Sequence, residues 1–281
     1  MGASSSQTAT ALAVMLVGYG VLSFGLSYRL KMPVSVVWST PGAAFLASSV
    51  MLGIEFSQAV GAFLVSSLLI VLTGLWPWLG KLVAKIPAQI SAAMLAGVIF
   101  PFVIATVHAG VEFPLLIVPV LLVWFVLNRF LPLWASPVAI SLGFVLIGFS
   151  PEAAGYAPGA FLPELLVIMP SFDLGVILAI GVPLYLITMA SQNLPGLAIM
   201  NSLGFKLPTR LVFSATGTGS ALTAFFGGFG LNLAAITAAL NADEPAAKDP
   251  ARRWIASSWG GFVYVLFAIF AAPFAAFVLA V

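Results

Sequence analysis

The sequence predicts an all-α polytopic membrane protein, and two observations lead to that class. The 281 residues are 62% hydrophobic and only 6% charged, with a mean hydropathy of +1.18, whereas a soluble chain of this length needs far more charge on its surface. Apolar blocks of about 17–25 residues, long enough to cross ~30 Å of hydrocarbon, recur along the whole chain. Because the blocks are continuous rather than alternating, a transmembrane β-barrel is excluded.

The apolar blocks give the order of the predicted segments. A longer loop, Ser150–Asp173, divides them into two groups and contains prolines and glutamates. The predicted segments are Ala9–Tyr28, Pro33–Gly53, Ser57–Trp78, Pro87–Val107, Phe113–Leu127, Leu131–Phe149, Leu174–Met200, Pro208–Phe226, the short Leu231–Leu240, and Trp254–Ala272.

The charged residues predict the orientation of these segments. If the loop after the first segment is cytoplasmic, alternation of the segments places all ten basic residues on that side, as positively charged loops prefer. Five acidic residues (Glu55, Glu112, Glu152, Glu164 and Asp173) then lie on the other side. The charges therefore predict a multi-pass membrane protein whose basic loops are cytoplasmic. These basic residues are Arg29, Lys31, Lys81, Lys85, Arg129, Lys206, Arg210, Lys248, Arg252 and Arg253.

The second segment is predicted to be broken in its middle. Its first residues include several β-branched valines, which favour an extended chain. The following Ser39-Thr40-Pro41 is typical of a helix start, because Ser39 or Thr40 can cap and proline suits the first helical turn. The segment therefore predicts an extended stretch followed by a half-helix.

The short segment after residue 225 has the same design. Residues 225–230 contain three glycines and are poor helix formers, whereas a helix is predicted from Leu231 onward, with Asn232 at or next to its cap. By alternation the two half-helices run in opposite directions, so their N-terminal ends face each other. Irregular backbone at membrane depth lines a cavity or is buried in protein, and paired broken segments favour a transporter's binding site. The alternative is a kinked helix whose Asn232 is satisfied by its neighbours.

The segment Leu174–Met200 places two amides among apolar residues. On an α-helix Thr188, Ser191, Gln192 and Pro195 share one face, and Asn193 points away from it. Unpaired amides are costly in hydrocarbon, so both face protein or water. They either line a binding site beside the half-helices or bond neighbouring helices as packing contacts.

The residue types exclude several functions. Without cysteine and with a single histidine, thiolate metal sites and an intramembrane serine protease are not supported, and no catalytic residue, metal or cofactor is predicted. None of the eight acidic residues falls inside a predicted segment, which favours an anionic ligand between half-helix ends. Trp38, Phe226 and Phe229 are near enough in sequence to line an aromatic ring.

At these residues the chain resembles the bacterial benzoate/proton symporter family, the benzoate membrane transport proteins. The resemblance implies the fold shared with uracil and sulfate-type transporters, with fourteen segments in two inverted repeats of seven that form a core and a gate domain. The matching stretches are MPVSVVWSTPGAAFLAS (32–48), VGAFLVSSLLIVLTGLWPWLGKLVAKIPAQISAAMLAGV (60–98), VPLYLITMASQNLPGLAIM (182–200), FFGGFGLNLAAITAAL (225–240) and DPARRWIASSWGGFVY (249–264).

The resemblance also implies a domain division. The chain is expected to hold about segments 2 to 11, and so to be truncated at both ends. Residues 1–80 form the first-repeat part of the core, 81–165 the first-repeat part of the gate, and 166–281 the second-repeat part of the core with the start of segment 12.

The function implied by the resemblance is secondary transport of a benzoate-like aromatic carboxylate across the bacterial inner membrane by proton symport, and not catalysis. The alternatives are another small anion or a nucleobase as the substrate, or an inactive truncated remnant. The expected partners are the anion, protons and the lipid bilayer, with a homodimer possible and no nucleic acid. The predicted substrate-binding residues are Ser39, Thr40, Pro41, Gly42, Gln192, Asn193, Gly230 and Asn232.

Overall fold

A computed structural model describes residues 2–76, 78–79, 81, 88–149 and 162–280. The chain forms two compact units. The first comprises Met1–Val98 with Ala160–Ala275, and the second comprises Ile99–Gly159 with Ala276–Val281. The assignment of residues 1–80, 81–165 and 166–281 to core and gate domains stays a prediction.

Long apolar helices build the first unit. Ser4 begins the first of them with a capping box, in which its side chain and that of Gln7 each accept the other's backbone N–H. Gly20 and Gly261 let the two helices that contain them approach closely, since a Cβ added to Gly261 would lie 2.7 Å from the Gly20 carbonyl oxygen. The helices are α1 (Ser5–Leu30), α2 (Thr40–Ser48), α3 (Phe56–Leu75), the N-terminal part of α4 (Ala88–Glu112), α7 (Leu174–Ser202), α8 (Thr209–Ala224), α9 (Ile236–Ala242), α10 (Trp254–Ile269) and the first half of α11 (Ala271–Ala280).

The second unit is smaller and contains a pair of helices, α5 (Pro114–Phe130) and α6 (Pro132–Gly148), with the C-terminal part of α4. Each of the pair has 17 residues, which is about 25 Å of helix. Trp124 Nε1 donates to Ser136 Oγ over 3.3 Å between them. No side chain of α5 is buried.

The helix lengths confirm an all-α polytopic membrane protein. Among the described residues, α1, α3 and α7 are long and apolar enough to cross a membrane. Helices α10 and α11 are bent by 66° relative to each other, and they make a fourth span if the bent pair counts as a single span. The inverted-repeat organisation and the sidedness of the loops stay predictions. The predicted loop Ser150–Asp173 lies partly outside the described residues.

Both predicted broken segments are present. A two-residue strand, β1 (Val36–Val37), precedes α2, and a second, β2 (Asn232–Leu233), precedes α9. The predicted helix start at Leu231 is wrong, because α9 begins at Ile236 after the extended β2. Pairing of β2 with β1 holds this stretch extended where the local sequence alone favoured a helix.

Candidate functional site

The two broken segments cross at a short β-ribbon. Strands β1 and β2 are antiparallel, with Val36 opposite Leu233 and Val37 opposite Asn232. An antiparallel pair sends its chains in opposite directions, so α2 and α9 leave the ribbon at opposite ends. The N-terminal ends of the two half-helices therefore face each other across the ribbon.

Serines on α1 satisfy the outer edge of β1. Ser23 Oγ accepts the N–H of Val36 over 2.9 Å and donates to the Val36 carbonyl over 3.2 Å. Ser27 Oγ forms the same pair of bonds with Val34, at 3.0 and 2.9 Å. An unpaired backbone N–H or carbonyl is costly in a membrane interior. These two hydroxyls stabilise the outer edge of β1 because they satisfy its backbone groups.

The outer edge of β2 is satisfied by amides and a hydroxyl from two other helices. Asn193 Oδ1 accepts the N–H of Leu233 over 2.9 Å, and Gln192 Oε1 accepts the N–H of Ala235 over 3.3 Å. Ser220 Oγ on α8 accepts the N–H of Leu231 over 2.7 Å. Gln192 and Asn193 therefore hold the second broken segment in place.

A π-helical turn explains how two consecutive amides reach the same strand. Residues Met189–Asn193 within α7 form this wider turn, which shifts the helical phase. The prediction that Asn193 points away from the face of Gln192 is wrong, because it assumed a regular α-helix. Thr188 and Gln192 are buried, as is Asn193, while Ser191 is half-buried and donates its hydroxyl to the Ile187 carbonyl over 2.6 Å.

Asn232 is the unusual residue of the ribbon. Its side chain is 0% exposed, and neither Oδ1 nor Nδ2 has a hydrogen-bond partner among the described residues. The prediction that Asn232 caps the half-helix is wrong, since it lies within β2 and the residue that precedes α9 is Ala235. A buried amide without partners costs about 1–3 kcal/mol, so Asn232 is the candidate ligand-contacting residue of the ribbon.

Gly230 lies beside the amide of Asn232. Its φ of 151° favours glycine, and a Cβ placed there would lie 3.6 Å from Asn232 Oδ1. The Gly230 carbonyl accepts the Tyr19 hydroxyl over 3.5 Å, a long bond. The buried Tyr19 ring also contacts the rings of Trp38 and Tyr264, each with centroids 5.8 Å apart. The amide therefore lies close to a cluster of aromatic rings.

The N-terminal end of α2 is built from local signals. Ser39 Oγ accepts the N–H of Gly42 over 3.0 Å, which identifies Ser39 as the cap and Thr40 as the first helical residue. Pro41 has no N–H to satisfy. Ser39, Pro41 and Gly42 are buried, whereas Thr40 is exposed.

The C-terminal end of α9 is held by one arginine. Arg253 donates from Nη1 to the Ala242 carbonyl over 2.7 Å and from Nε to the Ala247 carbonyl over 2.9 Å. A cation at this end also complements the helix dipole. The neighbouring Arg252 makes only a long, exposed ion pair with Asp249, at 3.9 Å.

A cavity of about 320 Å³, with a mainly apolar wall that carries several polar groups, lies beside the ribbon in the first unit. Its wall includes a chain of hydrogen bonds, in which Asn241 Nδ2 donates to Ser35 Oγ over 2.9 Å and Ser35 Oγ lies 3.0 Å from Ser257 Oγ. Thr237 and Tyr264 complete the polar part of the wall. Half-helix α9 thus has hydroxyl and amide groups along one side.

The ribbon and its surroundings are electrically neutral. Gln192, Asn193 and Asn232 contribute amides and the remaining polar groups are hydroxyls or backbone. Among the described residues no group of three or more His, Asp or Glu side chains is close enough to hold a metal ion. The N-terminal ends of α2 and α9 contribute only the partial positive charge of their helix dipoles.

Several residues of this arrangement were not predicted from the sequence. No role at the site is predicted for Ser23, Ser27, Ser220, Tyr19 or Arg253. Of the predicted aromatic residues, Trp38 contacts Tyr19, whereas the Phe229 ring packs on Phe63 with centroids 6.4 Å apart. The sequence signal for the contacts of α1 with β1 is the pair Ser23 and Ser27, which are four residues apart and precede a β-branched stretch.

Comparison with known proteins places the chain in a family. It is 33% identical over 271 residues to the inner membrane protein YdcO of Escherichia coli (strain K12), covering 96% of this chain and 68% of that protein. It is 32% identical over 259 residues to the benzoate membrane transport protein of Acinetobacter baylyi (strain ATCC 33305 / BD413 / ADP1), covering 91% of this chain and 64% of that protein. The family description "Benzoate membrane transport protein" matches residues 1–281. The chain therefore belongs to the benzoate membrane transport protein family.

Proposed function

We propose that the chain carries a benzoate-like aromatic carboxylate across the bacterial inner membrane by proton symport, and that the carboxylate binds at the β-ribbon. Membership of the family and the name of the Acinetobacter relative support benzoate as the substrate. The name of the Escherichia coli relative supports the inner membrane as the location.

The unpartnered amide of Asn232 is the observation on which the binding site rests. Its Nδ2 can donate to a carboxylate oxygen, which replaces the missing hydrogen bond when the substrate enters. Helix α9 begins four residues later, at Ile236, and its N-terminal end adds backbone N–H donors and a positive dipole. No carboxylate lies among these groups to repel the substrate.

Nearby aromatic side chains suit the ring of the substrate. Tyr19 and Trp38 contact each other beside Gly230, and aromatic rings attract one another in stacked or edge-to-face arrangements. Trp38 is partly exposed, so a ring can reach it from outside the packed core. The site thus offers neutral donors for the carboxylate and apolar surface for the ring.

The binding step is tested by calorimetry on the purified chain. We expect benzoate to bind and benzamide, which has the same shape but no charge, to bind at least tenfold more weakly. Uracil, sulfate and bicarbonate serve as the competing ligands. Benzamide binding as tightly as benzoate would contradict an anion site. Tighter binding of uracil, sulfate or bicarbonate than of benzoate would identify that ligand as the substrate instead.

The coupling step is tested by reconstitution into liposomes. An acidic exterior should drive accumulation of radiolabelled benzoate, and a protonophore should abolish it. Among the described residues the predicted spans hold no carboxylate, so water or the substrate's own carboxylate is the proposed proton carrier. Uptake that ignores the pH gradient would contradict symport and leave the binding site untouched.

A further inference from the structure

An aromatic groove runs along the outside of the first unit, between α1 and α10. Its volume is about 350 Å³, and the rings of Phe24, Trp259 and Phe262 are largely exposed along it. The groove lies apart from the β-ribbon and is not used by the proposed transport function. It is lined by Phe24, Tyr28, Trp254, Ile255, Ser258, Trp259 and Phe262.

The groove has the shape of a narrow slot. On α10, Trp254, Ser258 and Phe262 follow at intervals of four residues, so the slot extends about 12 Å along the helix. On α1, the rings of Phe24 and Tyr28 are stacked with centroids 6.0 Å apart and an interplanar angle of 2°. These rings make a continuous apolar wall that matches a single hydrocarbon chain better than a compact molecule.

A cation closes one end of the slot. Lys31 Nζ lies 3.9 Å from the ring centroids of both Tyr28 and Trp254, a double cation–π contact. Lys31 is also the only non-glycine residue with positive φ in the described part of the chain, at 52°. This left-handed conformation ends α1 at its C-cap, and the two ring contacts hold the ammonium at the end of the slot.

The Lys31 ammonium has no carboxylate partner among the described residues. The ion pair found there joins Arg252 to Asp249, and Asp249 also accepts the N–H of Ala251 over 2.9 Å. Arg29, in the last turn of α1, adds a second exposed cation. The Lys31 ammonium at the end of the slot is therefore a positive charge that no described carboxylate neutralises, and Arg29 precedes it by two residues in the chain.

We propose that this groove binds an anionic phospholipid, with one acyl chain in the slot and the phosphate on Lys31 and Arg29. Acyl chains match the apolar wall, tryptophan and tyrosine prefer the membrane–water boundary where Trp254 and Tyr28 would lie, and basic residues at that boundary attract anionic lipids. A zwitterionic lipid fits the slot equally well but gains little from the uncompensated charge.

The proposal is tested by lipid competition on the full chain. The protein is purified in a mild detergent and mixed with equal amounts of phosphatidylglycerol and phosphatidylcholine, and bound lipids are counted by native mass spectrometry. We expect phosphatidylglycerol to be retained preferentially. Lys31→Gln should lower its retention roughly fivefold, Trp259→Ala should lower retention of both lipids, and Lys31→Arg should keep the preference.

Lys206→Gln is the matched control, because it removes the same charge from an exposed position outside the groove. Equal retention of the two lipids by the parent protein would overturn the proposal. So would a loss with Lys206→Gln as large as with Lys31→Gln, since the effect would then come from net charge. Neither result depends on whether the chain binds benzoate.

Discussion

The two broken segments look alike in outline and differ in what holds them. Half-helix α2 begins with its own cap, since Ser39 accepts the N–H of Gly42, and Pro41 needs no partner. Half-helix α9 has no side-chain cap at Ala235. Its start is held by Gln192 and its end by Arg253.

The comparison shows that one half-helix is specified locally and the other by distant residues. The nine residues of α2 have nearby capping groups, whereas the seven of α9 depend on contacts from α7 and from Arg253, the residue before α10. The segment that depends on its neighbours is also the one that carries the unpartnered Asn232. We infer that α9 is the half-helix that responds to a ligand.

The largest expected difference between the two half-helices concerns the side of the membrane on which each ends. Single cysteines at Leu52, after α2, and at Lys248, after α9, are introduced into this chain, which has no cysteine of its own. We expect an impermeant thiol reagent added to intact cells to label Leu52→Cys and not Lys248→Cys. Labelling of both from one side would contradict the opposite directions of the half-helices.

Loss of the contacts from α7 should weaken the second segment most. Asn193→Ala leaves the buried N–H of Leu233 without its acceptor, so we expect stability to fall by about 1–3 kcal/mol. The measurement is the thermal unfolding midpoint in detergent. Asn201→Ala is the control, because Asn201 lies exposed on the same helix, and an equal loss there would remove the special role of Asn193.

Loss of the cation at the end of α9 should have a somewhat smaller effect. Arg253→Ala frees the carbonyls of Ala242 and Ala247, which water can partly satisfy, so we expect a loss of about 1–2 kcal/mol. Arg252→Ala, at an adjacent exposed residue, should change stability by less than about 0.5 kcal/mol. Equal effects in thermal unfolding would mean that charge alone matters and that the hydrogen bonds do not.

The smallest effect is expected at the locally capped half-helix. Ser39→Ala removes the side-chain acceptor for Gly42 and should cost about 1 kcal/mol, while Ser39→Asp should restore the cap. Ser48→Ala, at an exposed serine near the other end of α2, serves as the control. A loss at Ser39 greater than that at Asn193 would reverse the comparison between the two segments.

The sequence predicted the fold where its signals were local. The apolar blocks matched the helices, and Ser39-Thr40-Pro41 located the start of α2, because both depend on neighbouring residues. The start of α9 was predicted five residues too early, at Leu231 instead of Ile236. Pairing of β2 with β1 joins residues almost two hundred positions apart, so local propensity cannot predict it.

The candidate site was predicted in part for the same reason. Gln192, Asn193, Gly230 and Asn232 lie together at the ribbon, but the bonds of Gln192 and Asn193 to β2 depend on a π-helical turn that the sequence does not reveal. Ser23, Ser27 and Ser220 escaped notice because a serine in an apolar helix more often bonds its own backbone. Their role is to bond the backbone at the outer edges of β1 and β2, and it follows only from the positions of these edges in the structure.

The most direct test of the account compares Asn232→Ala and Asn232→Asp by benzoate calorimetry, with the unfolding midpoint measured on the same samples. Ala removes an unpartnered buried amide, so we expect the unliganded protein to be at least as stable as the parent while benzoate binding weakens by about 1–2 kcal/mol, five- to thirtyfold. Asp should bind benzoate still more weakly, because its negative charge occupies the place of the substrate's carboxylate. Benzoate binding by Asn232→Asp as tight as that of the parent would contradict an anion site at the ribbon.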